Sequence, residues 1–218
     1  SYTGATCQTS ATSVECTNPV TQVGGVVVTE VMANPAARID RAGEWFEIQN
    51  VGMSPVELRS WQISSEGDSD HSIGASLTAA PGERLVLARD DDPAGDGSIS
   101  PDYVYEDIGL ANGGDWIRLV KPNGDVADHV FWEAGSLLEG RSRKLDPSTM
   151  ATAAANDDYS NWCPSLESGE LLSNGEEWGS PGTPNQACAS QPCSKFVCER
   201  PEGFCKGGDG IRPTEENA

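Results

Sequence analysis

Glu30 and Glu47 fall in two neighbouring segments, VVVTEVM and EWFEIQN, whose residues alternate as strands do. Two carboxylates brought together on adjacent strands can share a cation, or one can hold a proton at a raised pKa because a like charge lies beside it. The plainer role is structural: each acid makes a backbone or arginine hydrogen bond that fixes a strand end, with Arg141 and Arg143 as candidate partners. A second acidic group, Asp90, Asp91, Asp92 and Asp96, sits in the turn-rich stretch DDDPAGDGSISPD. Calcium takes roughly six to eight oxygen ligands, which clustered carboxylates and loop carbonyls can supply. With Asp92 placed first in a helix-loop-helix calcium loop, Asp96 takes the fifth position and Gly97 the sixth, but Ala94 at the third and Tyr103 at the twelfth break the pattern. Calcium is therefore the one cofactor the sequence offers, held by a looser cage, against an ordinary solvated acidic loop.

Other residues offer less. His71 and His129 stand in no HExxH, GxSxG or HxH context, so nothing points to catalysis by either. The six tryptophans could line a groove for a glycan or peptide, but most lie in strand-like segments where packing explains them. Cys7, Cys16, Cys163, Cys188, Cys193, Cys198 and Cys205 cluster toward the two ends of the chain, as staples outside a core that needs none. Their spacing lacks the close pairs usual at zinc sites, which favours disulfides. Two pairings suggest themselves: the last four cysteines among themselves, and Cys163 with Cys7 or Cys16. An odd count leaves one thiol over.

Period-two segments must position these groups. In GEWFEIQN, Phe46 and Ile48 point one way, Trp45 and Glu47 the other; in APGERLVLARD, Leu85 and Leu87 alternate with Val86 and Ala88. The first strand is predicted to carry Val26, Val28, Glu30 and Met32 on one face. A hairpin turning at Asn123 and Gly124 sets Ile117 and Leu119 opposite Trp116, Arg118 and Val120, and is predicted to group Val126 with Asp128 and Val130. A short strand is expected within Arg141 to Asp146, one helical turn in Ala151 to Ala155, and an extended closing arm over Glu176 to Gln186. The basic residues Arg141, Arg143 and Lys144, flanked by Glu139 and Asp146, read as internal salt bridging.

The ordered series VVVTEVMANP, GEWFEIQNVGMSPVELRSWQIS, PGERLVLARD, LANGGDWIRLVKPNGDVADHVFW, GRSRKLDP, Asn161 with Trp162, and GSPGTPN resembles a lamin tail domain over about residues 25 to 185. That resemblance implies an all-β, immunoglobulin-like β-sandwich. It also implies a family found at the ends of nuclear lamins and in bacterial secreted or surface proteins, where copies stand beside nucleases, other hydrolases or adhesion modules. The GRS segment and the Cys163 that follows Trp162 point to the bacterial type.

The chain carries 34 acidic against 14 basic residues, a formal charge of −20, which repels nucleic acid and anionic lipid and favours basic or cationic partners. No apolar run approaches the ~18 residues a membrane helix needs. The expected organisation is an N-terminal arm over 1–23, one sandwich over 24–185 and a small Cys-rich segment over 186–218. The expected role is that of a non-enzymatic binding or structural module, secreted, periplasmic or at the cell surface, meeting a protein or cell-surface component through loops and an exposed sheet edge. A calcium-dependent adhesion module and an accessory domain of a secreted nuclease or other hydrolase are the alternatives.

Overall fold

The computed structural model describes residues 6–10, 13–17, 25–149, 151–166 and 170–188. Near the N-terminus, β1 (Thr6–Ser10) and β2 (Ser13–Thr17) form an antiparallel hairpin whose register sets Cys7 opposite Cys16. The main body begins with β3 (Val26–Met32), a helical turn α1 (Asp40–Gly43), β4 (Trp45–Asn50), β5 (Val56–Glu57), β6 (Gln62–Ser64), β7 (His71–Ser72) and β8 (Thr78–Ala79). It continues through β9 (Arg84–Ala88), β10 (Tyr103–Val104), β11 (Gly114–Val120), β12 (Val126–Glu133) and β13 (Arg143–Leu145). Last come the helical turn α2 (Ala153–Asn156), a 3-10 turn (Tyr159–Asn161) and β14 (Trp162–Pro164).

Two sheets stack. The larger has the order β10-β9-β4-β3-β13-β14 and the smaller β12-β11-β6-β7, with β5 and β8 paired separately. Phe46, Ile48, Leu85 and Leu87 from the larger sheet meet Ile63, Ile117, Leu119, Val130 and Trp132 from the smaller in one buried cluster. This is the layered solution open to strands with one oily face, an immunoglobulin-like sandwich. The larger sheet is covered on its other side too, where Met32, Trp45, Val86 and Ala88 pack with Ala94 and Ile99 of the 90–100 loop.

The alternations in β4, β9 and β11 hold as the sequence suggests. Two others do not. In β3 the register runs Val28 opposite Ile48 and then Glu30 opposite Glu47, so Thr29 is an extra residue with no partner in β4. Such a bulge shifts the phase of a strand. Val26, Val28 and Val31 therefore share the inner core, while Met32 belongs to the outer cluster and Glu30 faces outward with it. In β12 the pairing steps from Leu119–Asp128 to Val120–Val126, skipping Ala127. Val126 is thereby exposed, while Asp128, Val130 and Trp132 are buried.

Val28 lies past the end of the β13 pairing, so side chains serve its backbone. Its N–H donates to Asp128 Oδ2 at 2.6 Å and its carbonyl accepts from Asn156 Nδ2 at 3.0 Å. Asn156 is fixed in turn: α2 is capped by Thr152, whose hydroxyl accepts from Ala155 N, and Trp162 Nε1 donates to Asn156 O at 2.7 Å. Thus a bulge in one sheet, an acid from the other and a one-turn helix form a single joint.

Ile117 sits at the centre of the inner cluster with no exposed surface. Replacing it with alanine removes buried methyls and leaves a cavity, so Ile117→Ala is expected to lower stability by about 2–5 kcal/mol, read from urea unfolding.

Candidate functional site

Across the outer face of the larger sheet, the pairings place Val86, Glu47, Glu30, Lys144 and Cys163 side by side on β9, β4, β3, β13 and β14. Glu30, Glu47 and Lys144 are all buried. The segment 170–188 crosses over them and supplies the polar contacts a buried charge requires. Glu30 Oε1 accepts from Ser142 Oγ and from Ser180 N at 2.9 Å, while its Oε2 accepts from Ser180 Oγ at 2.8 Å. Glu47 Oε1 accepts from Thr29 Oγ1 at 2.6 Å and its Oε2 from Gly182 N at 2.9 Å. Asn185 bridges the strands beneath, donating to Thr29 O at 2.9 Å and Leu145 O at 3.0 Å. Lys144 Nζ is in direct contact with Glu170 Oε1.

Gly179 shows why the closing arm needs its small residues. A Cβ there would come 3.0 Å from Trp45 and 3.2 Å from a Glu30 oxygen. At the end of the arm, a disulfide joins Cys188 to Cys163 of β14. The expected partners of Cys163 and Cys188 are both replaced by this bond, because the arm returns over the sheet and brings two residues distant in sequence to a Cα separation of 5.8 Å. Cys193, Cys198 and Cys205 lie outside the described residues.

Electrostatically this layer favours protons. Burial pushes Glu47 up to about 8, and the neighbouring Glu30 charge adds to the rise against the pull of Thr29, Arg84 and Gly182. Arg84 Nε lies 3.1 Å from Glu47 Oε1, but its N–H is not aligned for a hydrogen bond, so it only partly offsets the loss of water. Burial also raises Glu30, against the hydrogen bonds from Ser142 and Ser180. The two arginines expected beside these acids go elsewhere. Arg141 lies over the Trp178 ring at 3.9 Å and Arg143 over Tyr159 at 3.8 Å. The basic trio is thus one buried ion pair and two aromatic stacks rather than a set of salt bridges with Glu139 and Asp146.

A model of the lamin tail domain family matches residues 19–134, more than half of the chain. The chain belongs to the lamin tail domain family. A comparison with curated proteins returns no match. Lamin tail domains are non-catalytic structural and binding modules, and the sandwich observed here is theirs. The match ends within the turn after β12, so β13, β14 and the closing arm lie beyond the matched part of the lamin tail domain.

The acidic loop is built from its own turns. Asp92 Oδ1 accepts from Gly95 N at 3.0 Å and Gly97 N at 2.9 Å, Asp90 Oδ1 accepts from Asp92 N at 3.1 Å, and Asp96 Oδ2 accepts from Ser173 Oγ at 2.7 Å. Asp91 is exposed. Among the described residues no three His, Cys, Asp or Glu side chains group so as to hold a metal ion. His71 accepts from Glu106 N at 3.2 Å and bonds Tyr103 Oη at 2.9 Å, a structural use. Trp45, Trp61, Trp132 and Trp162 are buried, which leaves Trp116 and Trp178 half-exposed, each beneath an arginine. Among the described residues no helix is long and apolar enough to cross a membrane.

Beside the arm the outer face stays open as a groove of about 950 Å³, with Thr29, Gln49, Arg84, Asp146, Thr149 and Asn185 in its lining. That volume falls in the range of ligand sites. Sequence reasoning did not find this groove, nor Lys144–Glu170, Ser180 or Asn185. A lysine between Arg143 and Leu145 in a strand was the available signal for an internal cation.

A carboxyl whose pKa is raised by folding binds its proton more tightly in the native chain. Its contribution is therefore most favourable below the ordinary value of 4.5 and is lost as pH rises toward about 8 for Glu47. The urea midpoint is expected to fall between about pH 5 and about pH 8. In Glu47→Gln, which mimics the protonated side chain, that decline should be shallower and the pH 8 midpoint higher than in the parent; an unchanged slope would refute the assignment.

Proposed function

We infer that the chain serves outside the cytoplasm as a disulfide-locked recognition and structural module. The Cys163–Cys188 bond carries this reading, because disulfides form and persist in oxidising compartments and are rare where thiols are kept reduced. The working unit is the sandwich over 24–185, flanked by an arm over 1–23 and a Cys-rich segment over 186–218. The binding surface is the groove beside the arm, and the partner is a protein or cell-surface component that is neutral or basic. A charge of −20 disfavours nucleic acid and anionic lipid at long range.

The disulfide does structural work consistent with exposure to such surroundings. It closes a loop of sequence separation 25 and holds the arm over the buried carboxylates. In a chain-entropy account, a loop of that size is worth about 3 kcal/mol.

Fractionation of the source cells, combined with a non-reducing peptide map, tests the proposal. The chain is expected in the extracytoplasmic fraction with Cys163 and Cys188 linked; recovery in the cytoplasm with both thiols free would sink it. Cys163→Ser with Cys188→Ser should lower the urea midpoint by an amount equivalent to about 2–4 kcal/mol. The same substitutions should leave the parent and the variant equally stable once the parent is reduced.

A further inference from the structure

The Lys144–Glu170 contact is placed unusually for an ion pair. Both side chains are sealed from water, at 1% and 0% exposure. A pair of full charges in such a place loses hydration that their attraction offsets only in part. Neither partner can retreat. Lys144 is paired on both sides, with Glu30 of β3 and Cys163 of β14. Glu170 is pinned through its main chain, where Gly179 N donates to its carbonyl at 2.8 Å, and through its carboxyl, where Leu166 N donates to Oε2 at 3.1 Å. An amine held in contact with a carboxyl has a very high effective concentration, and exclusion of water removes the competing solvent.

We propose that Lys144 and Glu170 join in an intramolecular amide. The proton that bridges the contact first passes from the Lys144 ammonium to Glu170 Oε1, leaving a free amine beside a carboxylic acid. The amine lone pair attacks Glu170 Cδ, and charge gathers on Oε2, where the Leu166 N–H already points. The second proton of the nitrogen passes to the Oε1 hydroxyl, which departs. The Nζ–Cδ bond forms, the Cδ–Oε1 bond breaks, and one water leaves. No oxidant, reductant or further reactant is required.

Glu30 flanks the pair in the same row of the sheet and makes no ion pair with Lys144. It stands directly opposite Lys144 in the β3–β13 register, and its carboxylate feels the charge of Glu170. Burial raises its affinity for a proton, while Ser142 and Ser180 hold the carboxyl in place. The other charged groups of the layer are Glu47 and Arg84, which pair with each other one strand further on. The product would fasten the start of the closing arm covalently to β13, as the disulfide fastens its end to β14.

The test is the mass of the full chain, denatured and with its disulfides reduced. The expected mass is lighter than the sequence by one water, with tandem fragmentation locating the loss in a branched peptide that joins Lys144 to Glu170. Glu170→Gln should converge on the mass of the parent, because ammonia leaves in place of water and the product is the same. Lys144→Arg should keep its full mass. A parent chain at full sequence mass, or one whose missing water maps to another position such as an Asp-Gly step, overturns the proposal without reference to any variant.

Discussion

Burying Glu30 and Glu47 next to each other on a sheet face is the constraint that organises the rest of the molecule. Two carboxylates without water need donors, and the row they occupy offers only Lys144 beyond them and Arg84 at one side. The closing arm answers with Ser180 and the Gly182 N–H, and Ser142 and Thr29 answer from the sheet. Covering the acids thus requires the arm, and holding the arm requires the acids. Elsewhere on that face the 90–100 loop covers Met32, Trp45 and Val86 with apolar contacts, which demand far less positional accuracy.

The bulge at Thr29 makes this arrangement possible. Without the extra residue, Glu30 would continue the phase of Val26 and Val28 and enter the inner core. With it, three valines face inward and Glu30 meets Glu47 outside. The displaced Val28 backbone then has to be satisfied, and Asp128 reaches over from the smaller sheet to do so. Burial pushes Asp128 up to about 6, against its bonds from Val28 and Asn156. One backbone irregularity therefore determines which acids lie in which layer and ties the two sheets together at a polar joint.

What could be read in the chain beforehand follows from the range of the interactions involved. Phe46, Ile48, Leu85, Leu87, Ile117 and Leu119 declare their faces because alternation is local, and the ordered motifs identify the family over much of the same stretch. The positions of Glu30 and Val126 were misjudged because a bulge adds one residue without any mark in composition, and every later side chain changes face. The Cys163–Cys188 bond and the Lys144–Glu170 contact are fixed by where the arm lands, 25 and 26 residues along the chain, and spacing alone carries no such information. Arg141 and Arg143 looked like partners for acids because charge is visible in a sequence, whereas the accessibility of an aromatic face is not.

The same irregularities bear on how the module meets a partner. An edge strand as long as β12 would ordinarily invite strand addition, and the sequence suggested such an edge as a recognition surface. Here β12 carries a bulge at Ala127 and an inward acid at Asp128, which accepts from Val28 N across the sandwich. A bulge and an inward-pointing acid both blunt an edge against strand addition. At one edge of the larger sheet β14 is committed to the arm through Cys163. With these two edges engaged in this way, the sandwich offers a partner there side chains on a face rather than a row of open backbone groups. The groove beside the arm is such a face, with Arg84 and Asp146 both in its lining, so contacts of both signs are available within a chain whose overall field is strongly negative.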